Sequence, residues 1–276
     1  MHPLLLPLAL GLALTAQGTP PDDDAIEGTP WQAQIYSNFT GWTEQELAAR
    51  DEWDLAHRCG GSLIADGWVL TAAHCIDQAK VDKGYRVRLG AEYLDSGEGI
   101  SYRIDRMVRH ADYDKPRHLN DIALVHFVAD EETEQGETAL LIEPIALHDG
   151  DPIGPGVKAF ATGWGQLEEG KDRGFQAELT QVDLVTVDCG SLTVYQGKTD
   201  DNMLCASSAD NDTCTGDSGG PLVLEGGDPV LVGIVSWGIG CYREDSAGVY
   251  VRIDRDHYRD WIDRAMAADP SINELR

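Results

Sequence analysis

Basic residues are scarce in this chain of 276 residues, which has 21 lysines and arginines against 48 aspartates and glutamates and a net charge of −27. A field of that sign repels phosphate backbones and anionic lipid, and it attracts cationic molecules. The composition therefore excludes nucleic acid and membrane surfaces as expected partners. It leaves two explanations open for the charge itself, namely solubility and the steering of a cationic substrate.

Long apolar runs are scarce as well. The run at residues 4–14 is interrupted by one proline and one glycine and is too short to span a bilayer as a helix. It is typical of the apolar region of a signal peptide, although no lysine or arginine precedes it. We therefore expect a signal peptide over 1–18, an acidic propeptide over 19–25, and a secreted protein, either extracellular or periplasmic.

The six cysteines form no C-x-x-C pair, so a zinc site of cysteines is not expected. An even number of cysteines in an exported chain predicts disulfides instead, and the count alone leaves many pairings open.

A serine lies among glycines at residues 214–221. Glycines let backbone N–H groups approach a substrate carbonyl, and the amides of Gly216 and Ser218 are the expected oxyanion donors. Ser218 is therefore the candidate nucleophile. The same pattern fits the nucleophile elbow of α/β-hydrolases, so this stretch alone leaves two folds open.

A histidine and an aspartate complete the candidate chemistry. His74 ends a predicted hairpin beside Cys75, where a fixed backbone would suit a general base. Asp121 begins an apolar strand, and taken alone it is equally well a strand cap. The chain order His74, Asp121, Ser218 differs from the α/β-hydrolase order, and the alternating strands and helices of that fold are missing after Ser218.

A polar, acidic stretch at 38–57 precedes these motifs. Its part at 44–56 has some helical spacing, which favours a helical insertion on the surface over a binding feature. We interpret the stretch as a surface loop.

Taken together, these motifs resemble the chymotrypsin/trypsin family of serine endopeptidases. The segments that carry the resemblance are 30–32, 59–63, 71–75, 120–124, 162–165, 216–221, 236–238 and 248–250. The resemblance implies an all-β fold of two antiparallel six-stranded β-barrels with a C-terminal α-helix. The barrels are expected over 26–135 and 136–276, and the residues from Asp269 onward are expected to be a frayed tail.

The resemblance also implies the chemistry. It gives a His74–Asp121–Ser218 triad that acts through an acyl-enzyme, without a cofactor. A loop at 90–101 aligns with the calcium loop of many trypsins, but Ala91 and Ser101 replace expected carboxylates, so no metal is expected. The implied disulfides are Cys59–Cys75, Cys189–Cys205 and Cys214–Cys241.

Specificity follows from residues that match trypsin-like members. Asp212 corresponds to the carboxylate at the base of the primary specificity pocket, and Gly238 and Gly248 match the glycines of its wall. A buried carboxylate requires a cation, so we expect protein and peptide substrates with Arg or Lys before the cleaved bond. The other interpretation of Asp212 is an ordinary turn residue. Ser236 and Trp237, with Gly238, resemble the strand that pairs with the substrate backbone.

The N-terminus departs from the family pattern, in which cleavage after a basic residue releases an Ile-Val-Gly-Gly end. Here Ile26 follows Ala25, and the chain from Ile26 to Trp31 reaches only about 17 Å. We predict a precursor cut between Ala25 and Ile26, with the new amine pairing with Asp217. Self-cleavage is expected at Lys171 or Arg173.

The resemblance implies a monomeric enzyme that protein protease inhibitors can bind. The alternative from another class is a non-catalytic homologue that serves as a binding module, and a third interpretation is an esterase. The presence of all three triad residues and both pocket glycines argues against the binding module, whereas an esterase would be recognised by turnover of simple esters without cleavage after Arg or Lys.

Overall fold

The computed structural model describes residues 28–131, 133, 139, 141–167, 174–208, 212–241 and 245–276. The predictions for the signal peptide, the propeptide, Ile26, Lys171 and Arg173 lie outside the described residues.

The first barrel is built from six antiparallel strands. These are β1 (Gln32–Ser37), β2 (His57–Ala65), β3 (Trp68–Thr71), β4 (Tyr85–Leu89), β5 (Ile100–His110) and β6 (Ala123–Val128). They are ordered β5-β4-β1-β2-β3-β6, and pairing of β5 with β6 closes the sheet. Branched and aliphatic side chains such as Ile35, Val69 and Leu124 are fully buried inside it, as expected where strand-forming residues face an enclosed core.

The second barrel repeats this design. Its strands are β8 (Lys158–Gly163), β9 (Thr180–Val187), β10 (Met203–Ser207), β11 (Pro221–Leu224), β12 (Val230–Gly238) and β13 (Gly248–Arg252). They are ordered β11-β8-β9-β10-β13-β12, and β11 pairs with β12 to close the barrel. A two-residue strand, β7 (Ala146–Leu147), adds to β12 in parallel.

The predicted pair of six-stranded barrels with a C-terminal helix is confirmed. Helix α4 (Asp256–Ala267) buries Tyr258, Trp261, Ile262 and Ala265, the i, i+3, i+4, i+7 stripe of an amphipathic helix. The stripe joins the same core as the first barrel, although the helix follows the second barrel in the chain. The two barrels also meet directly where Thr162 Oγ1 of β8 donates to Gln32 Oε1 of β1 at 2.7 Å.

The expectation of a frayed C-terminal tail is wrong. The tail forms a short strand, β14 (Glu274–Leu275), that pairs in parallel with the end of β5. The carbonyl of Leu275 accepts from Ala111 N at 2.9 Å and from the Trp261 indole nitrogen at 2.8 Å. The indole N–H of a buried tryptophan needs an acceptor, and the tail supplies it.

The helical insertion expected at 44–56 is confirmed, and only the interpretation of the whole stretch 38–57 as a loop is corrected. The stretch contains helices α1 (Glu44–Ala49) and α2 (Glu52–Ala56) and then enters β2. Helix α1 begins with a capping box, in which Thr43 N donates to Glu46 Oε2 at 2.7 Å and Glu46 N donates to Thr43 Oγ1 at 3.3 Å. A third short helix, α3 (Gln78–Asp82), follows β3. Within the described part of the chain, no helix is long and apolar enough to cross a membrane.

Candidate active site

The Asp121 carboxylate is fully buried just before β6, and three groups bind it. Its Oδ1 accepts from His74 N at 2.9 Å, and its Oδ2 accepts from His74 Nδ1 at 2.7 Å and from Ser236 Oγ at 2.6 Å. Because a carboxylate only accepts, Nδ1 carries the proton in this pair, which leaves Nε2 as the free lone pair of a neutral imidazole. These partners lie 47 and 115 residues away in the sequence, so Asp121 is more than a local strand cap.

The backbone around His74 is fixed from two sides. The disulfide Cys59–Cys75 ties it to β2, and Lys80 Nζ donates to the carbonyls of His74 and Cys75 at 3.0 and 2.9 Å. The imidazole itself is about a quarter exposed, at 23 %. The ring is therefore held in place and still open to a reacting partner.

Ser218 lies on a loop that both barrels hold. Its carbonyl accepts from Gly60 N of β2 at 2.8 Å, and Gly219 N donates to Val235 O of β12 at 2.7 Å. Gly219 has a φ of 82°, and a Cβ there would lie 2.2 Å from Thr71 Oγ1, so only glycine fits. The Ser218 carbonyl also lies 3.6 Å from Cys75 Sγ, which places the serine segment against the histidine segment.

Gly216, two residues before Ser218, is held by His57, which the sequence analysis did not identify as a site residue. His57 Nε2 donates to Gly216 O at 3.0 Å, and Gln34 Nε2 donates to His57 Nδ1 at 3.1 Å, which fixes the tautomer. The ring is 1 % exposed, and burial lowers the pKa of His57 to about 4, so the ring is neutral at physiological pH. Gly216 itself has a φ of 105°, a conformation that favours glycine.

Asp212 differs from Asp121 in having an oxygen without a partner. It is 6 % exposed, and its Oδ1 has no hydrogen-bond partner among the described residues. Burial raises the pKa of Asp212 to about 6. A Cβ on Gly248 would lie 2.7 Å from Tyr250 Oη, so a side chain would not fit there, whereas a Cβ on Gly238 would make ordinary contacts at 3.7 Å with the carbonyl oxygens of Ala247 and Gly240. The neighbouring residues 209–211 and 242–244 lie outside the described part of the chain.

Three comparisons place this geometry among known proteins. A family model described as Trypsin matches residues 21–262. The chain belongs to the trypsin family. A mouse tryptase is 32 % identical over 96 % of this chain and 97 % of its own length, and a trypsin from Squalus acanthias is 32 % identical over 90 % and 99 %.

Two further relatives show the range of the likeness. A mouse transmembrane protease serine 11G is 34 % identical over 75 % of this chain, which spans about half of that relative, or 49 %. Among solved structures, neuropsin, a serine protease expressed in the limbic system of mouse brain, matches with a TM-score of 0.67 at 32 % identity. That match covers 87 % of this chain and 96 % of neuropsin.

The disulfides of this trypsin-family chain join the cysteine pairs that the resemblance implies. Their S–S lengths are 1.98 Å, 2.08 Å and 2.05 Å for Cys59–Cys75, Cys189–Cys205 and Cys214–Cys241. The first lies beside His74, and the third ties the serine loop to the chain after β12.

Asp217, next to the serine, is buried and accepts from two backbone amides, Gly165 N at 2.8 Å and Cys214 N at 2.9 Å. Burial raises the pKa of Asp217 to about 6. A Cβ on Gly165 would lie within 2.3 Å of the carboxylate, so this trypsin-family protein needs glycine there. Within the described ranges no basic side chain pairs with Asp217.

The α1–α2 insertion reaches the serine loop through Asp54, which is 5 % exposed. Asp54 accepts from Arg50 Nε at 2.5 Å and from Phe175 N at 2.8 Å. The Phe175 ring lies 4.7 Å from the His57 ring, and a Cβ on Gly216 would be 2.8 Å from Phe175. The insertion therefore supports the two residues that hold the Gly216 segment.

Sequence reasoning missed His57 and Asp54 as contributors to the site. The spacing at 44–56 favoured a helical insertion, and the i, i+4 pair of Arg50 and Asp54 with the capping box at 43–46 gave further signals that the insertion is structured. No local pattern indicated the contact of His57 with Gly216, since 159 residues separate them.

Proposed function

We propose that this trypsin-family protein is a secreted serine endopeptidase that cleaves peptide bonds after Arg or Lys and is made as a precursor. The observation that carries the proposal is the buried Asp121 carboxylate, whose Oδ2 holds the proton-bearing Nδ1 of His74 at 2.7 Å. That bond sets the tautomer that a general base needs.

The proposed reaction uses the triad in two steps. Ser218 Oγ attacks the scissile carbonyl while His74 Nε2 takes its proton, and the imidazolium is stabilised by Asp121. His74 then delivers the proton to the leaving amine, which departs and leaves an acyl-enzyme on Ser218. Water, deprotonated by His74, hydrolyses the acyl-enzyme and restores the serine.

The oxyanion of each tetrahedral intermediate is bound by the amides of Gly216 and Ser218. Each such donor contributes about 3 to 4 kcal/mol to transition-state stabilisation. The His57 hydrogen bond to the Gly216 carbonyl supports this assignment because it restrains the Gly216 segment before substrate arrives.

Cleavage after Arg or Lys is assigned to Asp212. Its Oδ1 has no hydrogen-bond partner among the described residues and its pKa is raised, which are the properties of a buried acid that takes its cationic partner from a substrate. Gly238 and Gly248 leave the wall without side chains, and the 236–238 end of β12 offers backbone groups to the substrate.

The precursor step is assigned to Ile26 and Asp217. Cleavage between Ala25 and Ile26 would create an amine, and Asp217 is a buried carboxylate whose hydrogen bonds in the described ranges come from backbone amides. N-terminal sequencing of active protein is expected to find Ile26 first. Any other start would contradict this step and leave the triad assignment intact.

Fluorophosphonate labelling tests the proposed function directly. Processed wild-type protein is expected to be labelled stoichiometrically at Ser218, and the Ser218→Ala variant is expected to take no label. Ser207→Ala, which removes a serine from the end of β10, is the control and should label like the wild type. A processed wild type that takes no label would favour a non-catalytic binding module.

A further inference from the structure

Asn120 directly precedes the triad aspartate and has an unusual backbone. Its φ is 53°, in the left-handed region that most residues other than glycine rarely adopt. Its carbonyl accepts from Ile122 N at 2.8 Å, which closes a three-residue γ-turn around Asp121. Such backbone conformations cost free energy and cluster at functional sites. The direction of the Asp121 side chain therefore depends on the conformation that Asn120 adopts.

The Asn120 side chain is held at both of its polar atoms. Its Nδ2 donates to the Asp112 carbonyl at 3.1 Å, and its Oδ1 accepts from Tyr258 Oη at 2.9 Å. These two bonds use the donor and the acceptor of one amide, so an ionised aspartate in its place could not make both. Asparagine also tolerates the left-handed conformation better than most residues.

Both anchors of this side chain are supported by α4 and β14. Tyr258 lies in α4 and is fully buried. The segment that supplies the Asp112 carbonyl is held by β14, because the preceding Ala111 N donates to Leu275 O at 2.9 Å. These two elements follow the second barrel in the chain, and through the Asn120 side chain they contact the residue next to the triad aspartate of the first barrel.

We propose that Asn120 is a positioning residue for the triad. Its side chain holds the γ-turn, and the γ-turn directs the Asp121 carboxylate toward His74. The inference rests on the proposed function for its effect on rate. For its effect on geometry it rests on the hydrogen bond between His74 Nδ1 and Asp121 Oδ2 at 2.7 Å, which exists whatever the protein catalyses.

The Asp121 carboxylate needs precise placement because one oxygen serves two donors. Its Oδ2 accepts from His74 Nδ1 at 2.7 Å and from Ser236 Oγ at 2.6 Å. The carboxylate is fully buried, so no water replaces a bond that a shift of the turn would lengthen. A misplaced Asp121 should slow the chemical step and leave substrate binding unchanged.

Proton NMR of processed Ser218→Ala protein tests the geometry without any need for activity. The Nδ1 proton of His74, held between nitrogen and carboxylate, should give a resolved signal far downfield. Asn120→Gly keeps the left-handed conformation accessible and removes both side-chain hydrogen bonds, so that signal should broaden or move upfield. Tyr258→Phe removes one of the two bonds and keeps the buried ring, so it should produce a smaller change in the same direction.

Kinetics with Ser218 present test the effect on catalysis. Asn120→Gly should lower kcat roughly tenfold to a hundredfold with little change in KM, because a small misplacement of a group that orients the general base has an effect of that size. Tyr258→Phe should lower kcat less. The double variant should be no slower than Asn120→Gly alone, since the hydroxyl acts only through Asn120.

Tyr113→Phe is the matched control for the loss of a hydroxyl. Tyr113 lies on the same loop, and its buried Oη has no hydrogen-bond partner among the described residues. Its removal should leave kcat and the His74 proton signal as in the wild type.

The outcomes separate positioning from stability. In a folded, active protein, an unchanged proton signal or an unchanged kcat in Asn120→Gly would overturn the proposal, whatever the change in Tm. If Asn120→Gly does not fold, the same two measurements on Tyr258→Phe decide. If the wild type has no peptidase activity and the proton signal still depends on Asn120, the proposed function is refuted and the positioning of Asp121 stands.

Discussion

Asp121 and Asp212 are both buried aspartates among the candidate site residues, and they differ in their hydrogen bonds. Both Asp121 oxygens accept hydrogen bonds. The donors are the backbone nitrogen and Nδ1 of His74, which follows β3, and the hydroxyl of Ser236 in β12. Asp212 has an oxygen without a partner in the described ranges, and burial raises its pKa to about 6. When both oxygens of a carboxylate accept hydrogen bonds, the carboxylate holds the donor groups in place. A carboxylate with an unpaired oxygen can instead bind a cation.

The difference between the two carboxylates has an energetic cause. Removing one partner of a buried ion pair leaves an uncompensated charge that costs several kcal/mol, so a protein retains such a charge where function uses it. Asp217 is a third buried acid in the same loop, with two amide donors and a raised pKa. Breaking the interactions of Asp121 and of Asp212 gives distinct predictions.

The largest expected effect comes from Asp121→Asn. An amide at this position favours the wrong tautomer of His74, and kcat for a peptide substrate should fall about 10⁴-fold while the protein stays folded. Asp105→Asn is the matched control, because Asp105 pairs with His126 Nδ1 at the same 2.7 Å but far from Ser218. Retention of activity within tenfold in Asp121→Asn would contradict the triad assignment.

The second effect comes from Asp212→Ser. Two peptides that differ only in arginine or its uncharged isostere citrulline before the cleaved bond isolate the charge interaction. Loss of the carboxylate should lower kcat/KM for the arginine peptide about 10²- to 10³-fold and leave the citrulline peptide nearly unchanged. An equal fall of kcat/KM for both peptides would mean that Asp212 supports the fold and does not interact with the charge of the substrate.

A smaller effect is expected from pH on the same two peptides. The pKa of Asp212 is raised to about 6, so the acid is ionised above that pH and becomes neutral below it. The ratio of kcat/KM for arginine over citrulline should therefore fall as pH drops through about 6. Taking the ratio cancels every other pH dependence that the two peptides share. A ratio that stays constant from pH 8 to 5 would contradict the assignment.

The smallest effect is expected from Asp54→Ala. It leaves Phe175 N and the Arg50 guanidinium without their acceptor, which should cost about 1 to 3 kcal/mol of unfolding free energy and lower Tm. Because Phe175 packs on Gly216, kcat should fall several-fold with little change in KM. Asp51→Ala is the control at the start of the same helix, since Asp51 makes no side-chain capping bond. Equal losses of stability and of kcat in both variants would contradict the claim that Asp54 supports the Gly216 segment.

The sequence predicted those parts of the molecule that short motifs encode. His74, Asp121 and Ser218 each lie in a segment of residue types that the chemistry requires, and their chain order selected between two folds. The pairing of β14 with β5 and the contact of His57 with Gly216 depend on contacts between residues more than 150 apart. No local sequence pattern encodes contacts between segments so far apart. A buried donor such as the Trp261 indole indicates that an acceptor exists, but the sequence does not indicate which segment supplies it.

The most direct test of the account is the carboxyl NMR titration of Asp212 in processed Ser218→Ala protein, with the signal assigned by its loss in Asp212→Asn. The account predicts a titration midpoint near pH 6 for the free protein, which moves to lower pH when an arginine peptide binds, because the guanidinium stabilises the ionised acid. The citrulline peptide should leave the midpoint unchanged. A midpoint below about 4 in the free protein, or the same midpoint with and without the arginine peptide, would contradict the claim that Asp212 is an unpaired buried acid that binds the substrate cation.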